Sequence, residues 1–400
     1  MRRKLVVALG LTALLVPFLP PPGSPSRAAA QAAIGARAQE EEPGRVATFL
    51  GGLGGSFQEG GSYAVGDYPY AVTAADLNGD GLADLAVANA DAETVTLLYG
   101  LAVTACQPHP VLDAGTGPTA VAVADFNGDG HPDLAVADSG DNTVAIFLGH
   151  TYGTFRSPAW IPVGSHPTAL VVADINHDGI PDLAVADTGA NAISVLLGEG
   201  DGHFRPGATL ATGRSPDAIV ATDLNGDGLV DLAVTDFSDG TLSTFFGNGN
   251  GTFRPGQTLA AGRQPDALAA ADLNGDGIPD LAVADFAGDT VTLLSGRPDG
   301  TFGRAGTVAT GNDPDALAIA DLNGDGRADL ATADYGSGAV TIIDGRGGGQ
   351  FGPETTLTVG PHPTSLVVHD LNGDGILDLA VTFTGAQAQA PWRRMQEPPQ

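Results

Sequence analysis

The sequence has 400 residues with 58 glycines, 28 prolines, a single cysteine and a formal net charge of −30 at pH 7. A field this negative repels phosphate backbones and anionic lipid, which argues against nucleic-acid binding and membrane-surface binding. The single cysteine, Cys106, excludes an intramolecular disulfide framework.

Residues 1–30 have the pattern of a secretory signal peptide. Three basic residues at 2–4 precede an apolar stretch at 5–15, and three alanines at 28–30 form a small-residue cleavage site. A membrane anchor is the alternative, but the apolar stretch is short and Pro17 follows it closely. We therefore expect a secreted, extracellular or surface-associated protein whose mature chain is soluble and not inserted in a membrane. Cleavage removes four of the 17 basic residues and none of the 47 acidic ones, so the net charge becomes −34.

One nine-residue loop, Asp-x-Asn-x-Asp-Gly-x-x-Asp, is repeated along the rest of the chain. Its copies begin at Asp76, Asp125, Asp174, Asp223, Asp272, Asp321 and Asp370, always 49 residues apart. An internal period of this length overrides any estimate of domain number from chain length and predicts a repeat architecture.

Each repeat contains four predicted strands. In the second copy they are residues 119–124, 133–138, 143–149 and 155–164, separated by clusters of Gly, Asn, Asp and Pro. The first two strands are rich in Ala and Val on both faces, which predicts burial on both faces. Four strands per repeat of this length are typical of a propeller blade. A phenylalanine recurs at the start of the fourth strand, and Cys106 takes its place once, so we interpret Cys106 as a buried apolar residue rather than a reactive thiol.

The two chain ends predict a closed ring. The last repeat stops after its second strand, and residues 44–66 align with the missing third and fourth strands. Two half-blades at opposite ends leave no unpaired sheet edge if they meet. We therefore predict an all-β, closed seven-bladed propeller over residues 44–386, whose last blade is completed by the N-terminal strands. Residues 31–43 and 387–400 are predicted to be a disordered linker and a disordered tail.

The repeated loop predicts a calcium site. Oxygens at positions 1, 3 and 5 converge in a tight loop, Gly at position 6 allows the turn, position 7 offers a backbone carbonyl, and the carboxylate at position 9 closes the shell. Hairpin-turn chemistry alone explains Asn and Gly but not three carboxylates in nine residues. Oxygen ligands without His or Cys disfavour zinc, and an all-protein cage disfavours magnesium.

The candidate ligands for up to seven Ca²⁺ ions share positions 1, 3, 5, 7 and 9 of each loop. They are Asp76, Asn78, Asp80, Leu82, Asp84; Asp125, Asn127, Asp129, His131, Asp133; Asp174, Asn176, Asp178, Ile180, Asp182; Asp223, Asn225, Asp227, Leu229, Asp231; Asp272, Asn274, Asp276, Ile278, Asp280; Asp321, Asn323, Asp325, Arg327, Asp329; and Asp370, Asn372, Asp374, Ile376, Asp378. The apolar residue at position 2 is expected to anchor each loop in the core. His177 replaces Gly at position 4 of the third loop, so we expect the weakest affinity there.

These loops, each followed by Leu-Ala-Val or a variant of it, resemble the FG-GAP/VCBS-type repeats, which include the propeller head of integrin α subunits. The letters Phe-Gly of the motif stand at 302–303 and 351–352. The resemblance implies a secreted or surface propeller with calcium between the first and second strands of each blade. It also implies a role in adhesion or glycan binding.

Three functions remain open from the sequence. We favour a non-catalytic recognition or adhesion scaffold, with a protein or glycan ligand on the face opposite the calcium loops. The alternatives are a glycan-binding lectin and, less favoured, a secreted hydrolase or lyase; no recognised catalytic motif is present. Arg214 and Arg263 on the opposite face are candidates for holding a carboxylate or for pairing with nearby Asp residues.

Five further carboxylates end second strands on this opposite face. We interpret them as strand-terminating, solubilising residues. They are Asp138, Asp187, Asp236, Asp285 and Asp334.

Overall fold

A computed structural model describes residues 43–100 and 107–385 of the chain. The predicted signal peptide, the predicted linker except Pro43, Cys106 and the predicted tail lie outside these residues. The described chain forms antiparallel four-stranded sheets at the predicted period, numbered here as blades 1–7 from Pro69.

The strands of the first three blades follow the repeat in chain order. Blade 1 contains β3 (Pro69–Ala75), β4 (Asp84–Asn89), β5 (Thr94–Tyr99) and β6 (Gln107–Asp113); blade 2 contains β7 (Pro118–Ala124), β8 (Asp133–Asp138), β9 (Thr143–Phe147) and β12 (Ala159–Pro162); blade 3 contains β13 (Pro167–Ala173), β14 (Asp182–Asp187), β15 (Ala192–Gly198) and β16 (Phe204–Ala211). Blade 2 carries an additional two-stranded ribbon of β10 (Gly149–His150) and β11 (Thr154–Phe155) around a 3₁₀ turn at Thr151–Gly153.

The next three blades repeat the pattern. Blade 4 contains β17 (Pro216–Thr222), β18 (Asp231–Asp236), β19 (Thr241–Gly247) and β20 (Phe253–Ala260); blade 5 contains β21 (Pro265–Ala271), β22 (Asp280–Asp285), a 3₁₀ turn (Phe286–Gly288), β23 (Thr290–Gly296) and β24 (Phe302–Ala309); blade 6 contains β25 (Pro314–Ala320), β26 (Asp329–Asp334), β27 (Ala339–Gly347) and β28 (Gln350–Thr358).

Blade 7 joins the two ends of the chain, as the sequence predicts. Its sheet order is β2 (Ser56–Ala64), β1 (Arg45–Gly52), β30 (Asp378–Phe383) and β29 (Pro363–His369). Ala47 pairs with Val381 in antiparallel register. The first strands of successive blades contact one another around the whole ring, including β29 with β3, where the Thr364 hydroxyl donates to the Pro69 carbonyl at 2.6 Å. The closed seven-bladed propeller is therefore confirmed.

Burial follows the position of each strand in its blade. Every residue of the second strands is buried, because neighbouring blades cover both faces, as the Ala/Val pattern predicts. Beyond their opening residues the first strands are mostly half-buried, with one further buried residue in each of blades 1, 4, 5 and 7 (Val72, Ile219, Leu268 and Leu366). The prediction of complete burial is wrong for these first strands, since they are the innermost strands and face the axis of the ring.

The outer part of blade 2 also departs from prediction. The strand expected over 155–164 is broken between Phe155 and Ala159. Pro158 occupies the position of Gly207 in blade 3, beside the irregularity in the pairing of β15 with β16. The break coincides with this proline, which is found at this position in blade 2 alone.

Candidate functional site

Each repeated loop is held by hydrogen bonds between its own side chains and backbone. In the first loop the Asp76 carboxylate accepts the N–H groups of positions 4, 5 and 6, with the Gly81 N–H at 2.8 Å. The Asn78 side-chain oxygen accepts from the Asp80 N–H, and the Asp80 carboxylate accepts from the Leu82 N–H. The other loops repeat this arrangement, except that the third loop lacks the bond from the N–H of position 4. Four side-chain oxygens, two from Asp76 and one each from Asn78 and Asp80, are thereby held within one tight turn.

The closing aspartate at position 9 has a second role that the sequence analysis missed. It is the first residue of the second strand, at most 3% exposed in all seven blades. One carboxylate oxygen accepts from the N–H of position 2 at 2.8–3.1 Å. The other accepts from a glycine N–H at 2.6–2.9 Å, which lies sixteen positions further on in blades 1 to 6 and is that of Gly51 in the N-terminal strand in blade 7. Each closing aspartate thus joins its loop to the third strand.

The glycine partner explains a periodic feature of the sequence. At Gly247 an added Cβ would lie 2.2 Å from the Val230 carbonyl oxygen, and five equivalent glycines meet the same obstacle. Only glycine allows the third strand to approach the loop this closely. The recurring glycine at a fixed distance from each loop is the signal from which this contact is predictable.

Burial raises the pKa of the closing carboxyls. The pKa of Asp84 is raised to about 6, first by burial and further by the nearby Asp80 carboxylate. The pKa of Asp231 is raised to about 6 by burial, with Asp227 and Asp223 adding to it. A carboxylate that is both buried and next to other carboxylates favours a nearby positive charge.

The donor set of each loop fits a hard cation in its chemistry. It consists of three carboxylates, one amide oxygen and one backbone carbonyl, with no sulfur. In the described chain, the ion pair of Arg327 with Asp325 at 3.6 Å is the one that involves a loop carboxylate. No group of three His, Cys, Asp or Glu side chains within residues 43–100 and 107–385 is arranged as a formed metal site. In this structure the carboxylates are turned toward backbone N–H groups instead.

The third loop differs as expected at position 4. His177 has φ of 63°, in the left-handed region that glycine occupies in the other six loops. Its N–H lacks the bond to the first aspartate that those glycines make. The anchors at position 2 behave as predicted, since all seven are at most 8% exposed.

The loops between third and fourth strands lie on the same face as the repeated loops. The Gly202 N–H of blade 3 donates to the Phe126 carbonyl in the loop of blade 2, and Gly349 of blade 6 donates to Leu273 in blade 5. The expected division into a loop face and an opposite face is therefore observed.

The five aspartates that end second strands on the opposite face are not surface residues. Asp138, Asp187, Asp236, Asp285 and Asp334 are at most 2% exposed, so the interpretation as solubilising residues is wrong. Asp236 accepts from the Gly213 N–H of the preceding interblade linker at 2.8 Å and from the Ser243 hydroxyl at 2.8 Å. Asp138 likewise accepts from the Gly115 N–H at 3.1 Å, whereas Asp285 accepts from Thr292 and its Oδ1 atom has no partner. We call this position the interblade latch, because it fastens the incoming linker to the blade.

The latch varies between blades. Asn89 fills the position in blade 1, accepting from Gly66 and donating to Thr96, and Phe383 fills it in blade 7. In blades 3 to 6 a Ser or Thr seven residues later donates to the carboxylate at 2.5–2.8 Å. The sequence contains this hydroxyl at the same spacing, so the pairing was predictable.

Blade 2 has lost the hydroxyl. Ala145 occupies its position, and the Oδ2 atom of Asp138 is buried without a hydrogen-bond partner. Burial raises the pKa of Asp138 to about 7, and the charge of Asp141 adds to the shift. Of the two arginines considered from sequence, Arg214 pairs with Asp239 rather than with a latch residue, with Nε 2.6 Å from Oδ1.

Comparison with known families gives matches along the propeller. The model described as FG-GAP-like repeat matches residues 125–185, 174–234, 223–283, 272–332 and 321–381, and the FG-GAP repeat model matches residues 68–98. No curated protein is significantly similar to the chain.

Solved structures share the fold at low identity. BBS1N in complex with ARL6DN is 17% identical with a TM-score of 0.58, covering 85% of this chain and 98% of that one. The periplasmic gluconolactonase PpgL of Pseudomonas aeruginosa is 19% identical with a TM-score of 0.57, covering 80% and 97%. An Agrocybe aegerita lectin specific for non-reducing terminal N-acetylglucosamine is 17% identical with a TM-score of 0.51, covering 80% and 90%. No helix in the described ranges has the length and apolar character of a membrane span.

Proposed function

Because the chain belongs to the FG-GAP-like repeat family, we propose that it is a secreted, calcium-stabilised propeller that acts as a non-catalytic recognition or adhesion scaffold. The observation that carries the proposal is the contrast between its faces. The loop face repeats one hydrogen-bond pattern seven times, whereas the opposite face changes residue type from blade to blade. A repeated pattern suits a structural ion, and a varied surface suits recognition of one ligand.

Calcium would be held by the carboxylates at positions 1, 5 and 9, the amide oxygen at position 3 and the carbonyl at position 7. The ion supplies positive charge where three carboxylates meet. The N–H groups around Asp76 and Asp80 hold those oxygens in place before any ion binds, which lowers the ordering cost of binding.

Two measurements test this proposal. Mass spectrometry of the exported chain should find cleavage near residue 30, and retention of residues 1–30 on an exported chain would contradict secretion by signal cleavage. Pull-down from a cell surface should recover a partner in calcium and lose it in chelator. Turnover of lactone or polysaccharide substrates that is abolished by latch substitutions would contradict the non-catalytic role.

Glycan binding is the second candidate function. It is supported by Trp160, which is 47% exposed on the outer strand of blade 2, since exposed aromatic rings stack on sugars. The fold is also that of the N-acetylglucosamine-specific lectin. A glycan array probed with the calcium-loaded protein separates the two candidates, because a lectin gives saturable, sugar-specific binding and a protein-binding scaffold does not.

A further inference from the structure

A surface cavity of about 350 Å³ lies between blades 1 and 2, on the rim of the opposite face. Its lining includes Glu93 from the turn between the second and third strands of blade 1, and Asp141 from the corresponding turn of blade 2. The exposed ring of Trp160 lines the same cavity. Among the described residues, no basic side chain forms an ion pair with Glu93 or Asp141.

The repeat provides an internal comparison for this cavity. Two blades further on, Asp239 stands where Asp141 stands, Arg214 where Thr116 stands, and Thr258 where Trp160 stands. There Arg214 donates to Asp239 through both its backbone N–H and its guanidinium, at 2.7 and 2.6 Å. In blade 2 only the backbone contact remains, from the Thr116 N–H to Asp141 at 2.7 Å. Blade 2 therefore has a carboxylate at this position, Asp141, but no arginine of the same chain paired with it.

Polar side chains below the cavity also favour binding of a cation there. The Oδ2 atom of Asp138 is buried beneath Gly115, a lining residue; a Cβ on Gly115 would be 2.9 Å from it. Thr143, another lining residue, lies beside this carboxyl, and its hydroxyl lowers the pKa of Asp138 by hydrogen bonding. A buried carboxyl group beneath a cavity lined by two further carboxylates favours binding of a cation in that cavity.

We infer that this cavity binds an arginine side chain presented by a partner protein, with the guanidinium against Trp160 and its N–H groups on Glu93 and Asp141. The inference rests on the proposed recognition function and names its ligand chemistry. Guanidinium groups stack on aromatic faces and bond carboxylates through a planar fork. Blade 4 itself contains both contacts, since Arg254 lies 4.5 Å over the ring of Phe246 and Arg214 pairs with Asp239. The net charge of −30 favours a basic partner.

The test uses the calcium-loaded full chain carrying Trp392→Phe, so that fluorescence reports Trp160. The probe is a capped glycine–serine peptide with one central arginine, and the control peptide carries neutral citrulline in its place. We expect saturable binding of the arginine peptide, weaker in high salt, and no binding of the citrulline peptide. Trp160→Thr, which copies blade 4, should weaken binding by about tenfold.

Two further variants separate binding from folding. Thr116→Arg should abolish binding by supplying the missing internal arginine, whereas Thr258→Trp should leave affinity unchanged because Arg214 already occupies Asp239. Equal binding of both peptides, or binding unaffected by Thr116→Arg, overturns the inference. Binding of an N-acetylglucosamine oligomer that is lost in Trp160→Thr, with no arginine-peptide binding, also overturns it. Loss of peptide binding with intact calcium-dependent melting refutes this inference alone and leaves the proposed function standing.

Discussion

Each second strand has a buried side chain at both ends, but the residue type is the same in all blades at one end and varies between blades at the other. At the loop end, an aspartate occurs in all seven blades with the same two N–H partners. At the latch end, the residue is Asp in five blades, Asn in one and Phe in one, and its hydroxyl partner is absent in blade 2. Both ends are buried to the same degree, so burial does not explain the difference.

The difference indicates that every blade needs an aspartate at the loop end, whereas the need at the latch end depends on the individual blade. The loop-end aspartate satisfies two buried backbone N–H groups and completes a carboxylate cluster, whereas an amide side chain would keep only one of its two acceptor oxygens. The latch needs one acceptor for a linker glycine, which Asp and Asn both provide. Variation is therefore tolerated on the latch face, and this is the face on which we place ligand recognition.

Among single substitutions, one at Asp138 of blade 2 should have the largest effect on stability, and that effect should depend on pH. Burial raises the pKa of Asp138 to about 7 in the folded chain from its ordinary value of 3.8. As pH rises from about 4 to 7, the unfolded chain loses this proton while the folded chain keeps it, so folding stability falls. Asp138→Asn, which copies Asn89, should gain about 4 kcal/mol over the native chain between pH 4 and pH 8. Urea unfolding in saturating calcium measures this; a pH-independent difference would show that Asp138 is not the titrating group.

Asp→Asn substitutions at the two ends of one second strand should destabilise the fold by different amounts, and this is the next largest effect. In chelator at pH 5, which removes the calcium contribution and limits the effect of the raised carboxyl pKa, Asp231→Asn leaves the N–H of Leu224 or Gly247 without an acceptor, at a cost of about 2 kcal/mol. Asp236→Asn should cost under about 1 kcal/mol, because an amide oxygen can still accept from Gly213. Denaturant unfolding of the two variants side by side is the measurement. Equal losses would remove the distinction between the two ends.

Restoring the missing hydroxyl should stabilise blade 2. Ala145→Ser places a donor where Ser194 contacts Asp187 at 2.6 Å and Ser243 contacts Asp236. We expect a gain of about 1 kcal/mol at pH 8, where Asp138 is ionised, and a smaller gain at pH 5. Thermal unfolding at the two pH values checks it, with Ala184→Ser as a buried control that has no latch carboxylate to meet. A loss of stability from Ala145→Ser would contradict the latch geometry.

The smallest expected effect on stability is that of a substitution in the third loop. His177→Gly relieves a left-handed backbone and frees an N–H to reach Asp174, as in the other six loops. We expect about 1 kcal/mol of stabilisation and tighter calcium binding at that loop. Differential scanning calorimetry at fixed calcium is suitable, and unchanged melting would show that this φ carries no strain.

The sequence was sufficient for the parts of the molecule that repeat. The 49-residue period, the mid-blade chain ends and the apolar anchors such as Leu224 predicted the ring, its closure and the core contacts. The latch was misread because an Asp at a strand end is usually exposed, and only the approach of a neighbouring blade buries Asp236. The broken outer strand of blade 2 and its cavity depend on substitutions that occur once, at Pro158 and Trp160, which no internal pattern could reveal.

Calcium-dependent unfolding tests the central claim most directly. With free calcium about tenfold above the dissociation constant, each filled loop adds about 1.4 kcal/mol, or on the order of 10 kcal/mol for seven loops. We expect calorimetry of the mature chain to show a large fall in melting temperature when a chelator removes calcium, reversed by calcium and not by magnesium at the same concentration. A melting temperature that is the same in calcium and in chelator would contradict the claim that these loops hold calcium and stabilise the propeller through it.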